Sequence, residues 1–226
     1  MSRTAIFFLT LGALGLAIAI AWLGWMTVQT NMLGWFLLLV GISYLAGVLV
    51  VYWLRRERFW GSRGGGPILD EEGSDRSFWM IVLGMLAAFF LPPVEYITLP
   101  EFLPRASWMQ VTGLALIILG VILFIWARRT LGTFYSGHVS VVDGQPLVQG
   151  GPYRFIRHPA YAGYLLMSLG LGLGYSSLTG LAADFLLLLP AVIYRLRVED
   201  NLLAGHFGAQ FKEYASKISR LIPGIW

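Results

Sequence analysis

Long stretches without a charged residue alternate along this chain with short charged segments. A bilayer hydrocarbon core of about 30 Å needs roughly 20 apolar residues in a helix, and four stretches meet or approach that length. They run over Ile6–Trp25, Met32–Leu54, Ser77–Val94 and Ala106–Ala127. The pattern therefore predicts four membrane-spanning helices in the first part of the chain.

The next uncharged stretch, Ala160–Ala183, is interrupted by glycines and serines. These are Gly170, Gly172, Gly174, Ser176 and Ser177. We interpret the stretch as a short fifth span, a turn near Ser176–Thr179 and a sixth span from about Leu178 to Tyr194. Asp184 falls inside the sixth span, where a packing or turn role is favoured over ion translocation. The predicted fold class is an all-α membrane bundle of about six spans.

Beyond the sixth span, apolar residues recur at helical spacing. They are Leu203, Phe207, Phe211, Tyr214 and Ile218, at steps of four, four, three and four. This spacing predicts a C-terminal amphipathic helix that either lies along the membrane interface or covers a site.

The composition agrees with a membrane protein. The chain is 57% hydrophobic and only 12% charged, whereas soluble domains carry about 25% charged residues. This balance excludes a soluble enzyme, a disordered chain and a nucleic-acid-binding domain.

The absence of cysteine excludes disulfides and thiolate chemistry, and three scattered histidines do not suggest a metal site. The first apolar stretch, Ile6–Trp25, exceeds the roughly 7–15 residues of a signal-peptide core, so we expect it to be retained.

The basic residues predict the orientation. With six spans, only Arg105 of the 16 Lys and Arg residues lies on the side opposite the termini. Positive charge collects in cytoplasmic loops, so we expect both termini and both long loops in the cytosol. The membrane would be the inner membrane of a prokaryote or the endoplasmic reticulum of a eukaryote.

The chain divides into two regions on this interpretation. Residues 1–105 would hold the N-terminal spans and a Gly-rich cytosolic loop at 55–77, and residues 106–226 would hold the chemistry. Within that loop, Gly61–Asp75 is Gly-rich and acidic, and a flexible linker is favoured over a phosphate cradle because no Lys-Ser/Thr helix start follows.

The second loop carries an unusual density of special residues. Between Gly150 and Gly163 stand two prolines, two tyrosines, two arginines and one histidine. Pro159 suits the first turn of a helix, whose free N–H groups attract anions, and the tyrosine rings suit a cation or a purine. Taken one at a time, each residue fits the ordinary pattern of basic and aromatic side chains at a membrane edge better than it fits a site. Their clustering favours a site.

Arg195 and Glu199 stand four residues apart after the sixth span. They would share one face if the helix continues past the membrane edge. Taken alone, this spacing is better explained by a surface ion pair or by two charges that merely end the span.

From about Trp126 to the C-terminus, these residues resemble the isoprenylcysteine carboxyl methyltransferases and their prokaryotic relatives. The matching residues form an ordered set: Leu147-Val148, Gly151-Pro152-Tyr153-Arg154, Arg157-His158-Pro159-Ala160-Tyr161-Ala162-Gly163, Arg195, Glu199, Phe207-Gly208, Tyr214 and Arg220-Leu221-Ile222-Pro223. The resemblance covers nearly half of the chain.

The resemblance implies S-adenosyl-L-methionine as the cofactor, with S-adenosyl-L-homocysteine as its product, bound in a pocket that faces the cytosol. By motif, the residues that would line the cofactor are Gln145, Pro146, Leu147, Val148, Tyr153, His158, Pro159, Ala160, Tyr161 and Glu199. Arg195 would hold the substrate carboxylate. Gln145 and Pro146 depart from the family pattern, which favours backbone contacts there, and Asp200 stands where a second Glu is common.

The implied reaction is methyl transfer to the carboxylate of a prenylated cysteine or another lipidic acid. Such a carboxylate is already ionised at neutral pH, so no general base is needed. One alternative is methyl transfer to a phospholipid amine, which would require a base such as His158 or Asp200. A second alternative, a nicotinamide-dependent reductase, is disfavoured because the chain has no Gly-rich dinucleotide-binding motif. A third, a non-enzymatic membrane carrier, would need more polar residues within the spans.

Overall fold

The computed structural model describes residues 3–54, 74–135 and 144–226, and regular secondary structure in these ranges is helical. The eight α-helices are α1 (Arg3–Thr27), α2 (Leu33–Leu54), α3 (Ser74–Thr98), α4 (Ser107–Leu131), α5 (Pro159–Gly174), α6 (Leu178–Ala183), α7 (Leu189–Phe207) and α8 (Ala209–Lys217). Short 3₁₀ turns occupy Gly132–Phe134 and Gly151–Arg154, and a π-helical turn, Asp184–Leu188, joins α6 to α7. Most of the predicted Gly-rich loop, residues 55–73, lies outside the described residues.

Three of the described helices are long and apolar enough to cross a membrane. Their apolar segments are Thr10–Thr27, Trp79–Thr98 and Ser107–Leu131, and α2 contributes a shorter one, Leu33–Val48. Large apolar side chains also remain exposed on these helices, as a lipid-facing surface requires. Examples on α4 are Trp108, Leu119 and Ile122, which are 64%, 56% and 55% exposed. The all-α class is confirmed, and the number of six spans stays a prediction.

The chain folds into two compact units, residues 1–65 with 93–101 and residues 66–92 with 102–226. In the first unit, α1 and α2 pack as an antiparallel pair through glycines. A Cβ on Gly24 would lie 2.4 Å from the backbone nitrogen of Leu38, and one on Gly41 would lie 2.5 Å from that of Ala21. Asn31 caps the start of α2, since its side-chain oxygen accepts a hydrogen bond from the N–H of Leu33, the first residue of that helix, at 2.9 Å.

In the second unit, α4 and α5 make the same kind of close approach. A Cβ on Gly113 would lie 2.5 Å from the carbonyl oxygen of Gly170, and one on Gly120 would lie 2.6 Å from that of Gly163. Bare backbone at these crossings lets the two helices approach closely, as small residues do in membrane helix pairs. The glycines of α5 therefore serve helix packing.

The predicted turn after α5 is present. Tyr175, Ser176 and Ser177 separate α5 from α6, and the Ser177 hydroxyl caps α6 by accepting a hydrogen bond from Gly180 N–H at 2.9 Å. Asp184 opens the π-helical turn and is only 2% exposed. Its carboxylate lies near Ser168, yet neither oxygen makes a hydrogen bond of good geometry within the described chain.

The tail forms two helices, α7 and α8, where the sequence pattern predicted one continuous apolar stripe. Gly208 separates them with φ of +53°, a left-handed conformation that glycine adopts without steric cost. The Gly208 N–H donates to the carbonyl of Ala204 and closes α7. The stripe is therefore split, with Leu203 and Phe207 on α7.

Candidate functional site

A cavity of about 320 Å³ lies within the second unit, at the ends of several helices. Volumes of this order are typical of small-molecule and cofactor sites. Its wall combines an apolar part with a few charged and aromatic side chains. The lining residues are Ile81, Val82, Met85, Leu131, Phe134, Tyr135, Gln145, Pro146, Leu147, Val148, Tyr153, Arg157, His158, Ala160, Tyr161, Tyr164, Arg195, Glu199, Leu202, Leu203, Phe207, Phe211 and Tyr214.

The loop that carries the predicted motif, residues 150–158, is shaped by glycine and proline. Gly151 has φ of +58°, and a Cβ there would lie 2.5 Å from the Thr130 hydroxyl oxygen, so this position needs glycine for both reasons. The following 3₁₀ turn buries Pro152 and Tyr153. Pro159 occupies the first turn of α5, where its missing N–H costs nothing, as the sequence predicted. We call residues 150–158 the motif loop.

Arg195 and Glu199 both face this cavity from α7. Arg195 is only 2% exposed, and its Nε donates a hydrogen bond to the Tyr161 hydroxyl at 3.2 Å. Glu199 lies one helical turn further on, with its side chain about one third exposed at 32%. A buried guanidinium and a partly exposed carboxylate therefore stand side by side on one helix face, which allows the cavity to bind an anion and a cation next to each other.

A second carboxylate, Asp200, lies just behind this wall. Its Oδ1 is 2.9 Å from Nε2 of His158, and its Oδ2 accepts hydrogen bonds from Arg157 Nη1 at 3.1 Å and Arg220 Nε at 2.8 Å. Burial would raise the pKa of Asp200, but His158 and the two guanidinium groups outweigh it and hold that pKa below its usual range. Burial also lowers the pKa of Arg157 from its usual value.

Helix α8 closes the cavity through two aromatic side chains, Phe211 and Tyr214, both buried. The Tyr214 hydroxyl donates a hydrogen bond to the Tyr153 carbonyl oxygen at 2.6 Å, which ties α8 to the motif loop. Burial raises the pKa of Tyr214 to about 12, so the phenol stays a neutral donor at physiological pH. Burial and the charge of Glu199 likewise raise the pKa of Tyr153.

The structure brings together nearly all the residues that the sequence singled out. Those that line the cavity are Gln145, Pro146, Leu147, Val148, Tyr153, His158, Ala160, Tyr161, Arg195 and Glu199. Pro159 does not line it, because its ring is buried in the helix start while its neighbours reach the cavity. His138 lies outside the described residues.

Other lining residues were not assigned to the site by the sequence. Tyr135 and Tyr164 contact each other through their hydroxyl oxygens at 3.5 Å, and Arg128 lies over the Tyr135 ring at 5.1 Å. Phe211 and Tyr214 were predicted as part of an apolar helix face, and Tyr214 also belonged to the ordered set of matching residues, without a role in the site. Their helical spacing was visible, but the sequence left open whether that face meets lipid or a site. The apolar residues of α3 in the wall, Ile81, Val82 and Met85, could not be assigned to a site because their sequence resembles any hydrophobic membrane span.

Comparison with known proteins gives this geometry a context. Residues 108–210 match the family model described as phospholipid methyltransferase. The uncharacterized protein YpbQ of Bacillus subtilis (strain 168) is 30% identical over 128 residues, which cover 56% of this chain and 74% of that protein. Protein-S-isoprenylcysteine O-methyltransferase B of Arabidopsis thaliana is 29% identical over 143 residues, covering 61% of this chain and 73% of that enzyme.

A solved structure shares the fold. The eukaryotic intramembrane Ras methyltransferase ICMT (isoprenylcysteine carboxyl methyltransferase) superposes with a TM-score of 0.56 at 20% sequence identity, covering 94% of this chain and 74% of that chain. At this identity the likeness concerns the fold alone.

Proposed function

Since this chain belongs to the isoprenylcysteine carboxyl methyltransferase family and is an integral-membrane methyltransferase of that kind, we propose that it methylates the carboxylate of a lipidic acceptor. The methyl donor would be S-adenosyl-L-methionine, and the acceptor a prenylated cysteine or a similar acid. The observation that carries this proposal is the placement of Arg195 and Glu199, one helical turn apart, in the wall of one cavity.

The residues in this wall fit the proposed cofactor. Tyr153 and the tyrosines of α5 offer aromatic faces, and Glu199 supplies a carboxylate close to where a cation would bind. Gln145 to Val148 form the irregular segment that lines the cavity beside α5. When bound, S-adenosylmethionine supplies an electrophilic methyl group that a carboxylate takes up as an ester while the C–S electron pair stays on sulfur.

The acceptor carboxylate would be held by Arg195. A free carboxylate with a pKa of about 3.5 is ionised at neutral pH, so the protein has no proton to remove. What the protein must provide is orientation, and a guanidinium can grip a carboxylate through two parallel hydrogen bonds. The Tyr161 hydroxyl orients this guanidinium at 3.2 Å. Catalysis would therefore come mainly from positioning and electrostatics.

The apolar part of the cavity suits a lipid tail. Ile81, Val82 and Met85 of α3 line one side, and Leu202 and Leu203 of α7 add to it. A site at the membrane boundary would let the polar methyl donor enter from water and the lipidic acceptor enter from the bilayer. Under the positive-inside rule, the basic loops would lie on the cytosolic side, and this boundary with them.

A phospholipid amine is the second candidate acceptor, because the matching family model is described as phospholipid methyltransferase. An ammonium must lose a proton before it can attack, so this reaction needs a base. The two candidate bases, His158 and Asp200, are hydrogen-bonded to each other at 2.9 Å, and Asp200 also pairs with two arginines. Arg157 and Arg195 in the wall would repel a cationic acceptor. The geometry therefore favours the carboxylate.

The test is transfer of a radiolabelled methyl group by the purified protein in lipid. An S-farnesyl cysteine analogue is offered in one reaction and phosphatidylethanolamine in a parallel one. We expect base-labile label in the first, as a methyl ester gives, and none in the second. Label on the phospholipid alone would establish the amine reaction. Absence of S-adenosylmethionine binding by calorimetry, in detergent and in lipid, would instead refute the assignment of this cavity to the cofactor.

A further inference from the structure

Asp200 is a buried carboxylate that stands behind the cavity wall without lining it. It is 6% exposed, whereas its neighbour Glu199 lines the cavity directly. Asp200 takes hydrogen bonds from Arg157 and Arg220 and pairs with His158. One negative charge thus faces two permanent positive charges and a histidine. A charge taken out of water must be compensated locally, and these three partners compensate the carboxylate of Asp200.

The backbone already holds these partners in register without the Asp200 carboxylate. Ile156 and Ser219 form an isolated parallel bridge, the Arg157 N–H donates to the Ser219 carbonyl at 2.8 Å, and the His158 N–H donates to the Arg220 carbonyl at 3.0 Å. These contacts connect the motif loop to the segment that follows α8. The side chain of Asp200 is therefore not the sole mechanical link between the two segments.

A role for the Asp200 carboxylate follows from the charges of the wall. Arg157 and Arg195 are the two guanidinium groups that line the cavity, and Glu199 is its one lining carboxylate among the described residues. A sulfonium ligand adds a further positive charge to this wall. Electrostatic interactions between partly buried groups extend over several ångströms, because water screens them poorly there. The Oε2 atom of Glu199 lies 4.0 Å from Nδ1 of His158, whereas the carboxylate that pairs with Arg157 is that of Asp200, at 3.1 Å.

We propose that Asp200 is a counter-charge: by offsetting part of the positive charge of Arg157 and Arg220 from behind the wall, it allows the cavity to accept a sulfonium cofactor. Asp200 does not line the cavity, so it is a positioning residue that acts through the charges of Arg157 and Arg220. The inference rests on the proposed function, since it takes the cavity to be the S-adenosylmethionine site. It goes further by assigning the selectivity for a cationic over a neutral ligand to a residue outside the wall.

Two ligands of nearly equal shape separate a charge effect from a structural one. S-adenosylmethionine carries the sulfonium charge, whereas S-adenosylhomocysteine lacks it. Calorimetry on the full chain in detergent gives both dissociation constants. For Asp200→Asn we expect about tenfold weaker binding of S-adenosylmethionine and less than about threefold weaker binding of S-adenosylhomocysteine, as the loss of one nearby counter-charge predicts.

Two further variants complete a double-mutant cycle of Asp200 and Arg220. Arg220→Gln in the Asp200→Asn background removes one of the two cations that lost their shared carboxylate and restores the wild-type net charge, so S-adenosylmethionine binding should return to within about threefold of wild type. Arg220→Gln alone leaves Asp200 in place and should bind S-adenosylmethionine at least as tightly as wild type. Glu213→Gln is the matched control, because it removes a carboxylate that is 71% exposed and lies outside the cavity wall.

Each outcome decides the proposal. Equal losses for both ligands in Asp200→Asn, or no recovery in the double variant, would show a structural role and overturn it. If thermal unfolding shows that Asp200→Asn is not folded, Arg220→Gln alone still tests the proposal. Weaker S-adenosylmethionine binding by Arg220→Gln would contradict a counter-charge role of Asp200. A wild-type protein that binds neither ligand would instead refute the proposed function itself.

Discussion

The Nε atom of Arg195 lies 3.2 Å from the hydroxyl oxygen of Tyr161, so a residue of the helix that follows the motif loop fixes a guanidinium that belongs to α7. Arg195 is 2% exposed, and both residues line the same cavity. A guanidinium on a long side chain has many rotamers, and a hydrogen bond from one edge leaves the other edge presented in a defined direction. Tyr161 thereby couples α5 to the group proposed to hold the acceptor.

Replacing Tyr161 by Phe should slow turnover while leaving cofactor binding almost intact. A hydrogen bond to a charged group contributes about 1.5 kcal/mol, so we expect kcat to fall about tenfold. The measurement is steady-state methyl transfer alongside the S-adenosylmethionine dissociation constant. Tyr194→Phe, at an exposed position of α7 outside the cavity wall, is the control. A matching loss of cofactor affinity would place the Tyr161 hydroxyl on the cofactor instead.

Replacing Arg195 by Ala should abolish most methyl transfer without loss of the cofactor. Removing one partner of a buried, hydrogen-bonded charge pair costs about 3 kcal/mol, which corresponds to a rate reduction of more than about a hundredfold. Arg197→Ala removes an exposed arginine two residues further along α7 and should leave activity unchanged. The assignment of Arg195 to the acceptor fails if the Arg195 variant no longer binds S-adenosylmethionine.

Glu199→Gln should weaken S-adenosylmethionine binding about tenfold, because a neutral amide replaces the carboxylate nearest the proposed cation site. Calorimetry measures this directly, and Glu213→Gln again serves as the control of equal charge change. An unchanged dissociation constant would remove Glu199 from the cofactor site.

Adding a methyl group at the α4–α5 crossing should destabilise the fold. In Gly113→Ala the new Cβ would meet the Gly170 carbonyl oxygen at 2.5 Å, and backbone on both sides cannot yield easily. Overpacking of this kind costs about 1–3 kcal/mol, so the Tm should fall by several degrees. Gly12→Ala on α1 has no atom within 4 Å of its Cβ and should not lower the Tm. Equal Tm values for the two variants would argue against tight packing at Gly113.

Acid should destabilise the wild type more than Asp200→Asn. The pKa of Asp200 is lowered in the folded state from a usual value of 3.8. Its ionised form therefore stabilises the fold fully above that value, and the contribution is lost as the pH falls through the lower folded-state pKa. Thermal unfolding between about pH 6 and pH 3 should show a steeper decline for wild type. Parallel curves would indicate that Asp200 ionises equally in both states.

Much of the fold could be predicted from the sequence because a bilayer restricts the secondary structures that can cross it. Uncharged runs had to become helices, since backbone groups in lipid can be satisfied only within a helix or a closed barrel. The predicted turn near Ser176–Thr179 and the helix start at Pro159 both occur for local reasons, namely a serine cap and a proline at the first turn. The tail was predicted less well, because a glycine can end a helix or continue it, and Gly208 ends α7.

Charge, hydrophobicity and helical spacing are local properties, so they were enough to predict a helical membrane protein with Arg195 and Glu199 on one helix face. The cavity lined by α8, and the contacts of Asp200 with Arg157, His158 and Arg220, became visible only in the folded chain. Arg220 is 20 residues from Asp200 and Arg157 is 43 residues away. Contacts at such separations depend on how the chain returns to itself, and no periodicity in the sequence records that path.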